Sequence, residues 1–203
     1  MFDEKAGTGR RAIGGAAVAL GAAALFTQGG NAARAAQDEP PRADTMLEEP
    51  NLRADDPALS PRARELIRIG EISIAREDQA AAARFFHPDF RFHGPDGGTL
   101  GREQLWAYFA ACRAAFDDFS VTRQQIFSDG GDHLAARTTF YGVFRRPFTA
   151  SPLGTLQPNG RSVFYKINNV FRYAPDGTLI EEWAQYDSRM FLQRLGANLV
   201  LGR

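Results

Sequence analysis

The sequence holds a single cysteine, Cys112, so no disulfide can close within the chain. Cys112 stands in a helical pattern beside Phe109 and Phe116, where it reads as a buried, inert thiol. A nucleophilic role would need a histidine that nothing in the sequence places nearby. Neither sign of charge is in surplus: Lys+Arg and Asp+Glu are both 24, and the formal net charge is +0. That balance excludes the basic surface a nucleic-acid binder needs, and the short pair Arg145-Arg146 reads as solvated. Histidine is scarce. His87, His93 and His133 do not stand at the i, i+4 or His-x-His spacing of a metal site, so no metal is expected. The chain also lacks a glycine-rich phosphate loop, a serine elbow, a paired-cysteine site and internal repeats.

What is present is an ordinary globular composition, 44% hydrophobic and 24% charged, in 203 residues. That suits one domain with a sizeable core and a tail. The tail begins with Gly9-Arg10-Arg11, continues as an apolar Ala/Gly/Val/Leu run over 12–26, and reaches small residues at 31–36. A charged start, an apolar core and a small-residue site form a secretory signal, and the paired arginines point to twin-arginine export. Cleavage is expected after Ala35 or Ala36, which places the mature protein in the periplasm or outside the cell. The apolar run is too short and glycine-rich for a stable membrane span. An uncleaved anchor or a plain Ala-rich tail is the other reading of residues 1–36. Residues 37–60, rich in Asp, Glu, Pro and Arg, read as a disordered linker. The folded domain is expected over 61–203.

Within that domain, apolar residues at helical spacing run from 61 to 86, with a break near Gly70 or Asp78 and an end at His87-Pro88. A short strand is expected over 90–93 and an amphipathic helix over 101–116. Strands follow over about 119–128 and 133–144. Residues 145–160 are a Pro/Gly-rich loop. Two runs rich in β-branched and aromatic residues, 162–173 and 178–187, flank the turn Ala174-Pro175-Asp176-Gly177 and form a hairpin. A short helix over 190–195 ends at Gly196. Helices first and strands after is an α+β order.

Strand side chains alternate faces. On one strand of the hairpin Trp183, Gln185 and Asp187 share a face, opposite Glu182, Ala184 and Tyr186. On the other, Tyr165, Ile167, Asn169, Phe171 and Tyr173 share a face. Aromatic bulk joined to a few polar groups is the composition of a small-molecule pocket wall. A carboxylate set among aromatics has a raised pKa and can act as a general base or acid. Asp187 is the candidate; an Asp ahead of a helical run is equally an N-cap.

Several motifs carry a resemblance. Ile180, Glu182, Trp183, Asp187, Leu192, Leu195 and Gly196 resemble the closing signature of the SnoaL-like polyketide cyclases, within the NTF2-like superfold. The stretches 87–95 and 101–106 resemble that family's first strand and second helix, and Ala135-Ala136-Arg137 and Pro158-Asn159-Gly160 fall where it shows a strand arginine and a turn. The match covers roughly residues 63–197. It implies an NTF2-like cone, a curved antiparallel sheet wrapped around N-terminal helices with a hydrophobic pocket. It implies Asp187 as the acid/base residue, with Asn169 where many relatives carry a histidine and Ala184 where many carry a second aspartate. Asn169 can only donate or accept a hydrogen bond. Arg137 alternates with Ala135 and Thr139 and is expected either at the pocket, binding an oxyanion, or in a structural ion pair. Trp183, Tyr165 and Gln185 are expected to contact substrate, and His93 to line the pocket mouth.

The implied function is a cyclase- or isomerase-like enzyme acting on a small hydrophobic carbonyl compound by aldol-type acid/base chemistry without a cofactor. The alternatives are a non-catalytic exported binding protein that uses the same pocket, and a hydrolase or dehydratase of the same superfold. A homodimer through the outer sheet face is the partner the resemblance implies.

Overall fold

The computed structural model describes residues 50–199. The export signal expected over residues 1–36, and residues 37–49 of the expected linker, lie outside them. Residues 50–60 belong to the folded body. Leu52 N–H donates to the Arg123 carbonyl at 2.7 Å, and Asn51 Oδ1 accepts from Gln124 Nε2 at 2.8 Å. Both contacts fall on a strand at the edge of the sheet, whose free backbone groups invite pairing.

Ser60 opens helix α1 (Pro61–Arg68): its Oγ accepts from Ala63 N–H, and Pro61 occupies the first turn. The helix does not break at Gly70. It widens into a π-helical turn (Ile69–Ile74) and stops at Glu77, which takes φ 66°. Asp78 then caps α2 (Gln79–Phe85) by accepting from Ala81 N–H at 2.9 Å. Gly70 is required by close approach: a Cβ there would meet the Val121 carbonyl oxygen at 2.6 Å. Gly70→Ala is expected to push the π-turn off the sheet and lower stability by about 1–3 kcal/mol. A thermal melt checks this.

Strand β1 (Phe86–His93) begins four residues earlier than 90–93, because Phe86 already pairs with Leu179. A three-residue strand β2 (Thr99–Gly101) leads into α3 (Arg102–Ala115), where Gln104 Oε1 accepts from Gly101 N–H. Strands β3 (Phe116–Ser128), β4 (His133–Phe144), β5 (Ser162–Tyr173) and β6 (Leu179–Gln185) complete the sheet. Helix α4 (Ser188–Arg194) follows and ends at Gly196, whose φ of 90° suits a residue without a Cβ.

The fold is α+β: one open, curved sheet with helices against one face. The strand order is β2-β1-β6-β5-β4-β3, antiparallel except for the parallel pair β1–β6. Phe90, Phe140, Phe144, Phe148 and Phe171 are fully buried between sheet and helices. Phe140 is the hub, with ring centroids of Tyr165 at 4.7 Å, Phe119 at 5.0 Å, Phe116 at 5.7 Å and Phe191 at 5.9 Å.

Candidate functional site

The cavity lies between the helices and the inner sheet face. Leu66, Ile69, Leu105 and Tyr108 close it from the helix side, and Phe140, Tyr165 and Phe171 from the sheet side. It is partly open to solvent, and the centre of a water-sized sphere can range over about 60 Å³ of it. Its wall is apolar except for a polar row that crosses four strands.

That row follows from register. Arg123 on β3 stands opposite Thr138 on β4. Thr138 faces Ile167 on β5, so Asn169 is its diagonal neighbour on the same face. Asn169 faces Ala184 on β6, and Phe171 faces Glu182, so Glu182 is diagonal to Asn169. The side chains connect in the same order. Arg123 Nη1 donates to Thr138 Oγ1 at 3.0 Å, Thr138 O–H donates to Asn169 Oδ1 at 2.6 Å, and Asn169 Nδ2 donates to Glu182 Oε1 at 2.7 Å. Every donor points from the guanidinium toward the carboxylate, so each bond polarises the next. Arg123, Thr138 and Asn169 are buried.

Glu182 as a whole residue is only half-buried, but its carboxyl is enclosed. Burial is the dominant influence and pushes that carboxyl up to about 7, against the pull of the Arg123 charge and the Asn169 hydrogen bond. Burial drives the Arg123 guanidinium down, and the Glu182 charge opposes it. Burial also raises the Tyr108, Tyr165 and Tyr186 phenols, which keeps these three wall residues neutral.

Two of the residues singled out from sequence stand in this cavity, Asn169 and Tyr165. The others do not. Asp187 is exposed and caps α4, its Oδ1 accepting from Met190 N–H at 2.8 Å. The face of β6 that carries Trp183 and Gln185 turns outward, because pairing sets Ala184 opposite Asn169. Trp183 stacks on His93 on the outer face, with centroids 5.2 Å apart, and His93 Nε2 lies 3.3 Å from Glu181 Oε1. Arg172 also pairs with Glu181 and, more than His93, holds its carboxyl below the usual range. Gln185 is exposed. Arg137 sits opposite Asn168 and Gln125, on the face away from Thr138. Asp187→Ala is therefore expected to lower stability by about 1 kcal/mol through the lost cap, which a thermal melt would read.

Sequence reasoning passed over Arg123 and Thr138, and named Glu182 only in the closing signature and on the face shared with Ala184 and Tyr186. Part of the signal was there: Leu134, Ala136, Thr138 and Phe140 alternate as the apolar face of β4 and are all buried, whereas Ala135 and Arg137 are half-buried. Away from the cavity, Asp129, Asp132 and His133 bring ligand-type atoms within 4.8 Å of one another in the β3–β4 turn. His133 Nδ1 lies 2.6 Å from Asp132 Oδ1 in that turn.

A family model described as SnoaL-like polyketide cyclase matches residues 66–195. No curated protein matches this chain. Among solved structures, IdmH from Streptomyces antibioticus, named as a candidate polyketide cyclase, superposes with a TM-score of 0.56 at 23% identity, covering 68% of this chain and 100% of that one. A SnoaL-like protein of Jannaschia sp. CCS1, also named as a candidate cyclase, gives 0.57 at 20% identity, covering 70% and 98%. A Catenulispora acidiphila protein with a ketosteroid isomerase-like fold, solved with trimethylamine, gives 0.51 at 15% identity, covering 69% and 96%. At such identities the structures speak for the fold, with helices backed by a curved sheet. The family match speaks for kinship, and since it spans more than half of the sequence, this chain belongs to the SnoaL-like polyketide cyclase family.

Proposed function

We propose that the protein is a cyclase- or isomerase-type enzyme that moves a proton on a small hydrophobic carbonyl compound, using its own side chains and no cofactor. Glu182 is the base. The observation that carries this reading is its enclosed carboxyl, pushed up to about 7 against an apolar cavity and held by one donor, Asn169 Nδ2. A base poised near the working pH combines the right protonation state with useful basicity. Glu182 removes a proton from the carbon next to the substrate carbonyl, and the carbonyl oxygen becomes an enolate. Isomerisation returns the proton to another carbon. Ring closure instead forms a carbon–carbon bond from the enolate carbon to a second carbonyl, whose oxygen takes the proton back from Glu182. The apolar wall selects the hydrophobic body of the substrate.

The test is solvent exchange of the α-protons of β-tetralone, a small enolisable ketone, followed by NMR in deuterated buffer. Exchange above the buffer rate, rising with pH through about 7 as Glu182 loses its proton, is expected. A buffer-level rate across that range would favour a second reading, a non-catalytic carrier. That reading draws on Asn169, which cannot titrate where the family resemblance implies a histidine.

The paired arginines Arg10-Arg11 and the apolar run behind them support a site of action outside the cytoplasm. N-terminal sequencing of protein recovered from its own cells should find a start just after Ala35 or Ala36; a start at Met1 throughout would overturn export.

A further inference from the structure

We propose that the cavity binds its ligand as an oxyanion, and that Arg123 is the residue whose free N–H receives the charged oxygen. The proposal deepens the function above and rests on Glu182 as the base.

Arg123 is 4% exposed and lines the cavity. Its Nη1 is taken by Thr138, and its guanidinium lies over the Phe171 ring with Cζ 5.6 Å from the centroid. Its Nε–H has no acceptor among the described residues. A buried guanidinium donor left unmade is a standing penalty, larger than for a neutral group, and an incoming acceptor would relieve it.

The strand is built to aim this side chain. The β3–β4 register shifts between Arg123 and Gln125, so Gln124 is an extra residue, a β-bulge. Gln124 is buried too, but it satisfies itself locally: it donates to Asn51 and Thr122 and accepts from Thr139. Arg123 is left turned inward with its Nε–H open.

Charge conservation leads to the same ligand. Among the described residues that line the cavity, Arg123 and Glu182 are the only charged side chains; Tyr108, Tyr165 and Tyr186 stay neutral. At rest the two charges offset each other through Thr138 and Asn169. Once Glu182 takes a proton, Arg123 is a buried cation without that counter-charge, and its pull is left to act on a ligand oxygen. A ligand that has just given up that proton supplies the missing negative charge. The ligand class is therefore a weak acid, an enolisable ketone or a phenol, with an oxygen able to accept from Nε–H and a hydrophobic body.

Para-nitrophenol tests this, since its ionised and neutral forms absorb differently. It would be titrated into the full-length protein at about pH 6, where the free compound is mostly neutral and Glu182 retains much of its proton. The bound compound is expected to show the phenolate spectrum. At about pH 8, where wild-type Glu182 is largely ionised, Glu182→Gln should bind the phenolate roughly tenfold more tightly, and at about pH 6 Arg123→Gln should bind it roughly tenfold more weakly with a neutral bound spectrum. If Arg123→Gln does not fold, the Glu182→Gln comparison still decides. A neutral bound spectrum in the wild type, no tightening in Glu182→Gln, or no binding at all would overturn the proposal. Exchange of β-tetralone that depends on Glu182, combined with any of those results, would leave the base in place and remove only Arg123. Phenolate binding without such exchange would remove the base reading and keep an anion site.

Discussion

Glu182→Gln is expected to slow α-proton exchange of β-tetralone by about 10²–10⁴-fold, the usual contribution of a positioned general base. The replacement is close to isosteric, and its amide oxygen can still accept from Asn169 Nδ2, so the polar row keeps its shape. The same variant has a stability signature that reports the buried carboxyl itself, whatever its role. The folded-state pKa of Glu182 is raised by burial, to about 7. A group raised in the folded state contributes stability that is full below its ordinary unfolded value, near ~4.3 for a glutamate, and that is lost as pH climbs through the folded value. The wild type should therefore weaken between about pH 4.5 and 8 from this group, and Glu182→Gln should not. Melts at about pH 4.5 and about pH 8 are the check: the variant should gain over the wild type only at the higher pH. Equal exchange rates in the two proteins would sink the assignment of the base, whatever the melts show.

Phe140→Ala carries the largest expected effect on folding, a loss of about 3–5 kcal/mol. The ring is 2% exposed and touches four other aromatic rings, from β3, β5 and α4, that cannot all collapse into the space it leaves. In a domain of this size that loss lowers the melting temperature on the order of 10 °C. Phe140 also lines the cavity, so the variant should admit a larger ligand if it is assayed cold enough to stay folded. A shift of only a degree or two would mean the aromatic cluster repacks, contrary to its close centroid spacings.

Most of the architecture could be read from residues alone. Helical spacing, the Asp78 break, the β5–β6 hairpin and the Gly196 stop all reflect local chemistry, and local chemistry is what a sequence displays. The site was harder because two bulges interrupt strand alternation. On β6 the register shifts beside Tyr173, so Leu179 and Glu182 both line the cavity although three positions separate them. Counting in twos from Leu179 would turn Glu181 inward instead. On β3 the extra residue Gln124 hides the inward turn of Arg123 in the same way. The hairpin also offered two faces with aromatic content, and only the partner strand decides between them. Asn169 faces the cavity from β5; Trp183 lies on the outer face of β6, where it finds its aromatic neighbour His93, and Asp187 stands past the end of that strand as the cap of α4. Arg137 belongs to the same kind of case, one position from the inward Thr138.

The strand order has a consequence for biosynthesis. Of the strands in the described residues, β6 is made last, yet it sits in the interior of the sheet, between β1 and β5. Until it leaves the ribosome, β1 and β5 each offer an unsatisfied backbone edge, and the floor that bears Glu182 is missing. A nascent chain that ends before Leu179 thus has neither a closed seam nor a chamber, and holding it apart from its neighbours would fall to chaperones until the final segment slots in.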